Sequence, residues 1–319
     1  MTAVQTYEEK LQTLSEGSVR LSFNAFKDIP WDDPAYAVVP DDERWILPSV
    51  DPLGGHEWYR SLPRERQIEI GMARMANITK VGWQFENVLI KGVLEYLMDV
   101  PNGSPEFRYL MHEVTEETHH IQMFQEFVNR TGTDIPGAAG WFRVVQSVLP
   151  VFGRLLPEIF FTGVLAGEEP IDHLQKAILR SGDDLHPLMV RIMQIHVAEE
   201  ARHISFAHEF LARKAPTLSL PRKALLSVAY PIVMRVLCDV IATPSRGFIK
   251  HYDIPKEVIK DLYWDAPESE KLLRDLFADV RVLAEEAGLM NRVSKVLWKR
   301  LRIDGRPARY RSEPAPKAA

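Results

Sequence analysis

The sequence predicts an all-α protein, a helical bundle, and three observations carry that reading. Apolar residues recur at three- and four-residue spacing over long segments. Strand signals are nearly absent, and the turn dipeptides Asn102-Gly103 and Asp304-Gly305 each follow a helical segment, so neither joins two strands. Helix-start residues and prolines stand where the apolar periodicity breaks. No period of about 20 to 50 residues marks a solenoid.

A short helix over residues 4–16 opens the chain. Residues 17–62 contain Pro30-Trp31-Asp32-Asp33-Pro34, Pro40-Asp41-Asp42, Pro48 and Pro52-Leu53-Gly54-Gly55, which read as an extended arm anchored by Trp31, Trp45 and Trp58. Pro63 suits the first turn of a helix, and the apolar pattern from Ile68 through Met72, Met75, Ile78 and Leu89 carries it to Met98. Pro101-Asn102-Gly103 stops that helix, and Ser104-Pro105 starts another that runs to about Arg130. Residues 141–180 read as helical, broken or kinked at their prolines. Asp183-Asp184 caps a helix over 185–214, and further helices are expected at 220–249, 255–263, 267–287 and 289–300. The expected organisation is a helix and arm over 1–62, a helical domain over 63–303 and a disordered tail over 304–319.

The charge balance, 39 basic against 44 acidic residues with no basic block, argues against nucleic acid as a partner. The single cysteine, Cys238, excludes an internal disulfide and an iron–sulfur cluster, and suits a reducing compartment. Charged residues before Phe23 leave no signal-peptide core, so a cytoplasmic location is expected. Two apolar segments could be mistaken for membrane spans. Val144 to Ala166 holds Arg154, Glu158 and two prolines, and Ala224 to Ala242 holds Pro231, Arg235 and Asp239. Both are expected to be buried helices, with no stable membrane span.

The chemistry resides in two strings, Glu116-Glu117-Thr118-His119-His120 and Glu199-Glu200-Ala201-Arg202-His203. Each holds a Glu-x-x-His, which puts carboxylate and imidazole one helical turn apart on one face. About one such match is expected by chance in a chain of this size. Two in the same register form a repeat: Glu117 and Glu200 lie 83 residues apart, as do His120 and His203. Glu86 and Glu169 share that offset, each 31 residues before its Glu-x-x-His glutamate. Neighbouring Glu168 competes with Glu169, and the repeat offset favours Glu169. Four glutamates and two histidines on four helices suit two iron or manganese ions (Fe2, Mn2 or a mixed pair). His196, four residues before Glu200 and on the same stripe, reads as a seventh ligand. Glu113, Glu116 and Glu199 read as outward-facing or as partners of the ligands. Glu158 is either ion-paired or a proton donor, with the ion pair favoured, and Arg235 with Asp239 reads as a buried pair.

The paired Glu-Glu-x-x-His strings resemble the ferritin-like dimetal-carboxylate superfamily, and the added His196 resembles its p-aminobenzoate N-oxygenase family. That resemblance implies a homodimeric, all-helical di-iron oxygenase that uses O2 to oxidise arylamines to hydroxylamines and nitro compounds. It covers about residues 60–250. Family members that read an aromatic carboxylate carry arginine and tyrosine just before the first glutamate, whereas this chain has Ile78-Thr79-Lys80-Val81-Gly82-Trp83. The metal set is unaffected, and p-aminobenzoate itself is disfavoured as substrate. No catalytic residue beyond the ligands is assigned.

Without a dinucleotide fingerprint or cysteine cluster, electrons must come from an external donor of ferredoxin or reductase type, or from a diffusible reductant. Two other functions fit the same ligands. One is desaturation or hydroxylation of an acyl chain, for which the segments 144–166 and 224–242 could line a channel. The other is metal storage without an organic substrate, for which 319 residues are more than a cage subunit needs.

Overall fold

The computed structural model describes residues 5–262 and 266–306. Among them no strand occurs, and the all-α expectation holds. Most of the expected tail, together with residues 4 and 263 at the ends of two expected helices, lies outside the described residues.

Helix α1 (Tyr7–Arg20) begins at a capping box between Thr6 and Glu9. The following segment contains only short turns of helix, including α2 (Pro52–Gly55) and α3 (Glu57–Arg60). It is pinned by buried Trp31 and Trp45, and Trp45 stacks on His186 with ring centres 4.0 Å apart. Then come α4 (Arg64–Leu97) and α5 (Pro105–Thr131), the latter capped by Ser104 and ended by Gly132 at φ 62°. The connection to the second helix pair holds α6 (Gly140–Val145) and α7 (Val151–Leu155). The second pair is α8 (Pro157–Arg180) and α9 (Pro187–Lys214).

Helix α4 packs along α5, and α8 along α9; α5 also meets α9, and α4 meets α8. Short links within each pair and one long crossover between pairs give the connectivity of a ferritin-like bundle. Around it lie α10 (Leu220–Ala242), α11 (Arg246–His251), α12 (Lys256–Lys260), α13 (Pro267–Leu276), α14 (Ala278–Glu286) and α15 (Arg292–Arg300).

Several expected boundaries move, each for a local reason. Helix α9 starts at Pro187 rather than Leu185, because a residue before proline disfavours helical torsions and His186 sits at ψ 124°. The same effect at Thr243-Pro244 splits the expected helix 220–249 into α10 and α11. The helix expected over 267–287 breaks at Phe277, which separates α13 from α14. Asn291 caps α15, which therefore starts at Arg292.

A larger correction concerns residues 144–166. Their second half, in α8, is buried as expected, but the first half lies on the surface: Val144 is 75% exposed, Val148 61% and Leu155 64%. This is the crossover, which runs outside the bundle. It is held close because Gly153 of α7 meets the backbone of Gly92 in α4, where a Cβ would strike the Gly92 carbonyl. The segment Leu220–His251 is long and apolar enough to cross a membrane, and half of its most apolar window is buried. Arg235 and Asp239 form the expected pair there, at 3.0 Å.

Candidate metal centre

Two large hydrophobic clusters, and a smaller one around Val81, Phe142 and Ile241, fill the molecule. One packs the ends of the bundle near α1, α10 and α15, and the other packs the arm against α4, α5 and α9. Between them, midway along the four long helices, lies a layer of buried glutamates and histidines. Glu86 comes from α4, Glu117 and His120 from α5, Glu168 from α8, and His196, Glu200 and His203 from α9. All seven are buried.

Their ligand atoms fall into two sets, within each of which all atoms lie within 4.8 Å of one another. Glu86, His120, His196 and Glu200 form one set, and Glu117, Glu168, Glu200 and His203 the other. Glu200 belongs to both. Its Oε1 lies 3.2 Å from His196 Nε2, 3.5 Å from His120 Nδ1 and 3.6 Å from His203 Nδ1, without hydrogen-bond geometry to any.

Glu169 is absent from the layer. Its carboxylate accepts a hydrogen bond from His208 at 2.7 Å, and Glu168 takes the expected place. The 83-residue offset counts residues and ignores helical phase, and one residue turns a side chain by about 100° around the axis. The phase was visible in the sequence: Glu168 shares a stripe with Val164, Ile171 and Gln175, whereas Glu169 falls in line with Asp172.

The doubled glutamates have a defined role. Glu199 accepts a hydrogen bond from His120 Nε2 at 2.8 Å, and Glu116 accepts one from His203 Nε2 at 2.7 Å. Each motif thus orients the histidine of the other, and each imidazole is left with Nδ1 facing the centre. Glu116 is itself held by Arg202 at 2.8 Å, and Glu199 also accepts the amide of Phe23 from the arm. Neither faces outward. His196 is set differently: its Nδ1–H donates to Gln175 Oε1 at 3.0 Å, which turns Nε2 inward. Gln175 has no counterpart in the repeat.

The electrostatics fit bound cations. Both carboxylate oxygens of Glu168 and of Glu200 are buried without a hydrogen-bond partner. His203 Nδ1 approaches Glu117 Oε1 to 2.8 Å without the angles of a hydrogen bond, as two lone-pair donors would when aimed at a common point. Burial and neighbouring carboxylates push Glu86 and Glu168 well above the usual carboxylate range. Burial opposes the charge on His120 as well, but Glu117 lifts it to about 10. Burial lowers His196 to about 4, which keeps it neutral and able to donate a lone pair. Burial raises Glu113, one turn before Glu117, to about 8. Four glutamates and three histidines, most with unsatisfied inward atoms, fit a pair of divalent ions and suit iron or manganese.

The chain matches the model of the p-aminobenzoate N-oxygenase family over residues 4–288. It belongs to that family. The match spans nearly the whole chain and places the centre in a ferritin-like di-iron oxygenase family. Uncharacterized proteins of Mycobacterium bovis and Mycobacterium tuberculosis are each 54% identical over 308 residues, which is 97% of this chain and 91% of theirs.

A cavity of about 420 Å³ leads away from Glu86, Glu168 and His196. Its walls are almost entirely apolar and come mainly from α4, α6, α7, α8, α9 and α10, with Phe124 of α5 and Pro52 of α2. Glu158 does not line it, since Arg222 holds both its oxygens at 2.8 and 2.9 Å, which favours the ion-pair reading.

His196→Ala tests the third histidine. Six ligands remain, so the fold and much of the metal content should persist, whereas turnover should fall roughly tenfold. Metal analysis and stopped-flow reaction of the reduced protein with O2 would check this. Native oxygen kinetics in the variant would make His196 a bystander.

Proposed function

We propose that the protein is an O2-activating di-iron oxygenase that N-oxygenates an uncharged, largely apolar arylamine or related amine. The apolar cavity ending at Glu86, Glu168 and His196 is the observation that carries this reading. Glu86, His120, His196 and Glu200 would hold one ion, and Glu117, Glu168, Glu200 and His203 the other. Iron bound there would supply the reduction of O2 and the oxidising power. The chain's own part is to hold the ions, exclude water and position the amine. Phe85, Phe124, Val164 and Ile171 wall off water beside the carboxylates. Glu116, Glu199 and Gln175 fix the imidazoles. Electrons would come from an external donor, and assembly as a homodimer belongs to the same proposal.

The cavity also favours a second reading, oxidation of an acyl chain, because α8 and α10 line it with apolar side chains and few polar groups face it. Storage of metal makes no use of such a cavity. Anaerobic reduction followed by O2 and a screen of arylamines against acyl substrates separates the readings: hydroxylamine products support the first, desaturated or hydroxylated chains the second.

The wall also determines what is rejected. Ile78, Thr79 and Gly82 face the cavity where a carboxylate reader would be needed. Arg74, one turn earlier, also lines the cavity, but its guanidinium is engaged there, donating to the Ala242 carbonyl at 2.7 Å. p-Aminobenzoate should therefore bind at least about tenfold more weakly than its uncharged methyl ester, because its carboxylate would be buried without a partner. Calorimetry checks this, and tight p-aminobenzoate binding would show that Arg74 or another basic group turns to meet it.

A further inference from the structure

The two Glu-Glu-x-x-His strings differ at a position that metal ligation leaves unexplained. The 83-residue offset sets Arg202 of α9 against His119 of α5, so a permanent cation occupies one half of the repeat only. Arg202 lies across the two glutamates that orient the imidazoles. Glu116 and Glu199 each accept an imidazole Nε2–H on Oε2 and turn Oε1 toward the guanidinium. Arg202 Nη2 donates to Glu116 Oε1 at 2.8 Å and lies 3.8 Å from Glu199 Oε1.

The first helix and the arm seat this cation. The Arg202 side chain is only 11% exposed, and both carboxylates are buried. Helix α1 covers its stem at Gly17, where a Cβ would crowd Arg202 Cδ at 3.2 Å. The arm then turns over the group: the Leu21 carbonyl accepts from Arg202 Nη2 at 3.2 Å, and the Phe23 amide donates to Glu199 Oε1 at 3.2 Å.

A carboxylate that accepts the outer N–H of a ligand imidazole makes the inner nitrogen a stronger donor, which favours the higher oxidation state of a bound metal. Unopposed in this buried layer, Glu116 and Glu199 would drive His203 and His120 in that direction. Arg202 draws charge from both carboxylates, where little water screens it.

We propose that Arg202 is a positioning residue that sets the reduction potential of the metal pair. Acting through Glu116 and Glu199, it weakens His203 and His120 as donors and so eases reduction by an external electron donor. The proposal rests on the di-iron reading of the centre.

Anaerobic redox titration of the iron-loaded full chain, followed optically, tests it with Arg202→Gln and Arg202→Lys. Glutamine keeps a donor for Glu116 without the charge, and lysine keeps the charge without the planar fork. Arg202→Gln should lower the midpoint potential by about 60 mV per one-electron step, a tenfold shift in the ferrous-to-ferric binding ratio, with native circular dichroism and iron content. Arg202→Lys should recover most of that loss. A residue that merely braced Glu116 would act in the opposite sense: releasing the carboxylate would leave His203 a poorer donor, and the potential would rise or iron would be lost. An unchanged or raised potential in Arg202→Gln, loss of its iron, or a potential in Arg202→Lys as low as in Arg202→Gln would therefore overturn the proposal while leaving the di-iron reading in place. Iron-loaded wild type that takes up no electrons in the titration would remove that reading and the proposal with it.

Discussion

Glu200→Gln is expected to take the protein from about two bound ions per chain to fewer than one. Glu200 is the carboxylate common to both ligand sets, its oxygens have no other partner, and three imidazoles converge on its Oε1. The amide keeps the shape but removes the charge and points two hydrogens toward metal positions. Glu199 cannot substitute, since it is occupied by His120 and by the amide of Phe23. Native circular dichroism with collapsed metal content is the expected result. Retention of two ions would show that Glu200 does not bridge the sets.

The second large effect separates neighbours. Glu168→Gln should weaken one metal site by roughly ten- to a hundredfold and abolish most reaction with O2. Glu169→Gln should keep both ions and weaken the hydrogen bond to His208, worth about 1–3 kcal/mol of stability. Metal titration and thermal unfolding of the two variants, side by side, read both quantities. Reversal of the pattern would restore the assignment that the repeat offset favours.

Much of this was legible in the chain. Helical periodicity and proline punctuation located the four long helices; the matched Glu-x-x-His strings located four of the seven clustered residues, the repeat offset Glu86, and the helical stripe His196. The seventh was displaced by one position because an equal sequence interval does not guarantee equal helical phase. The stripe Val164, Glu168, Ile171, Gln175 held the correcting signal. The doubled glutamates were legible as a repeat but not as a crossed pair, since Glu116 reaches His203 and Glu199 reaches His120 only when α5 and α9 lie side by side. The segments 144–166 and 224–242 invited a channel. That they face each other across one, with the first half of 144–166 outside the bundle, depends on the path of the crossover, which apolar content alone does not specify.

The most direct test of the dimetal assignment is the anomalous scattering at the iron edge from crystals of iron-loaded protein. Two peaks are expected within the bundle, one among Glu86, His120, His196 and Glu200 and the other among Glu117, Glu168, Glu200 and His203. A single peak, or iron bound only outside this layer, would contradict it.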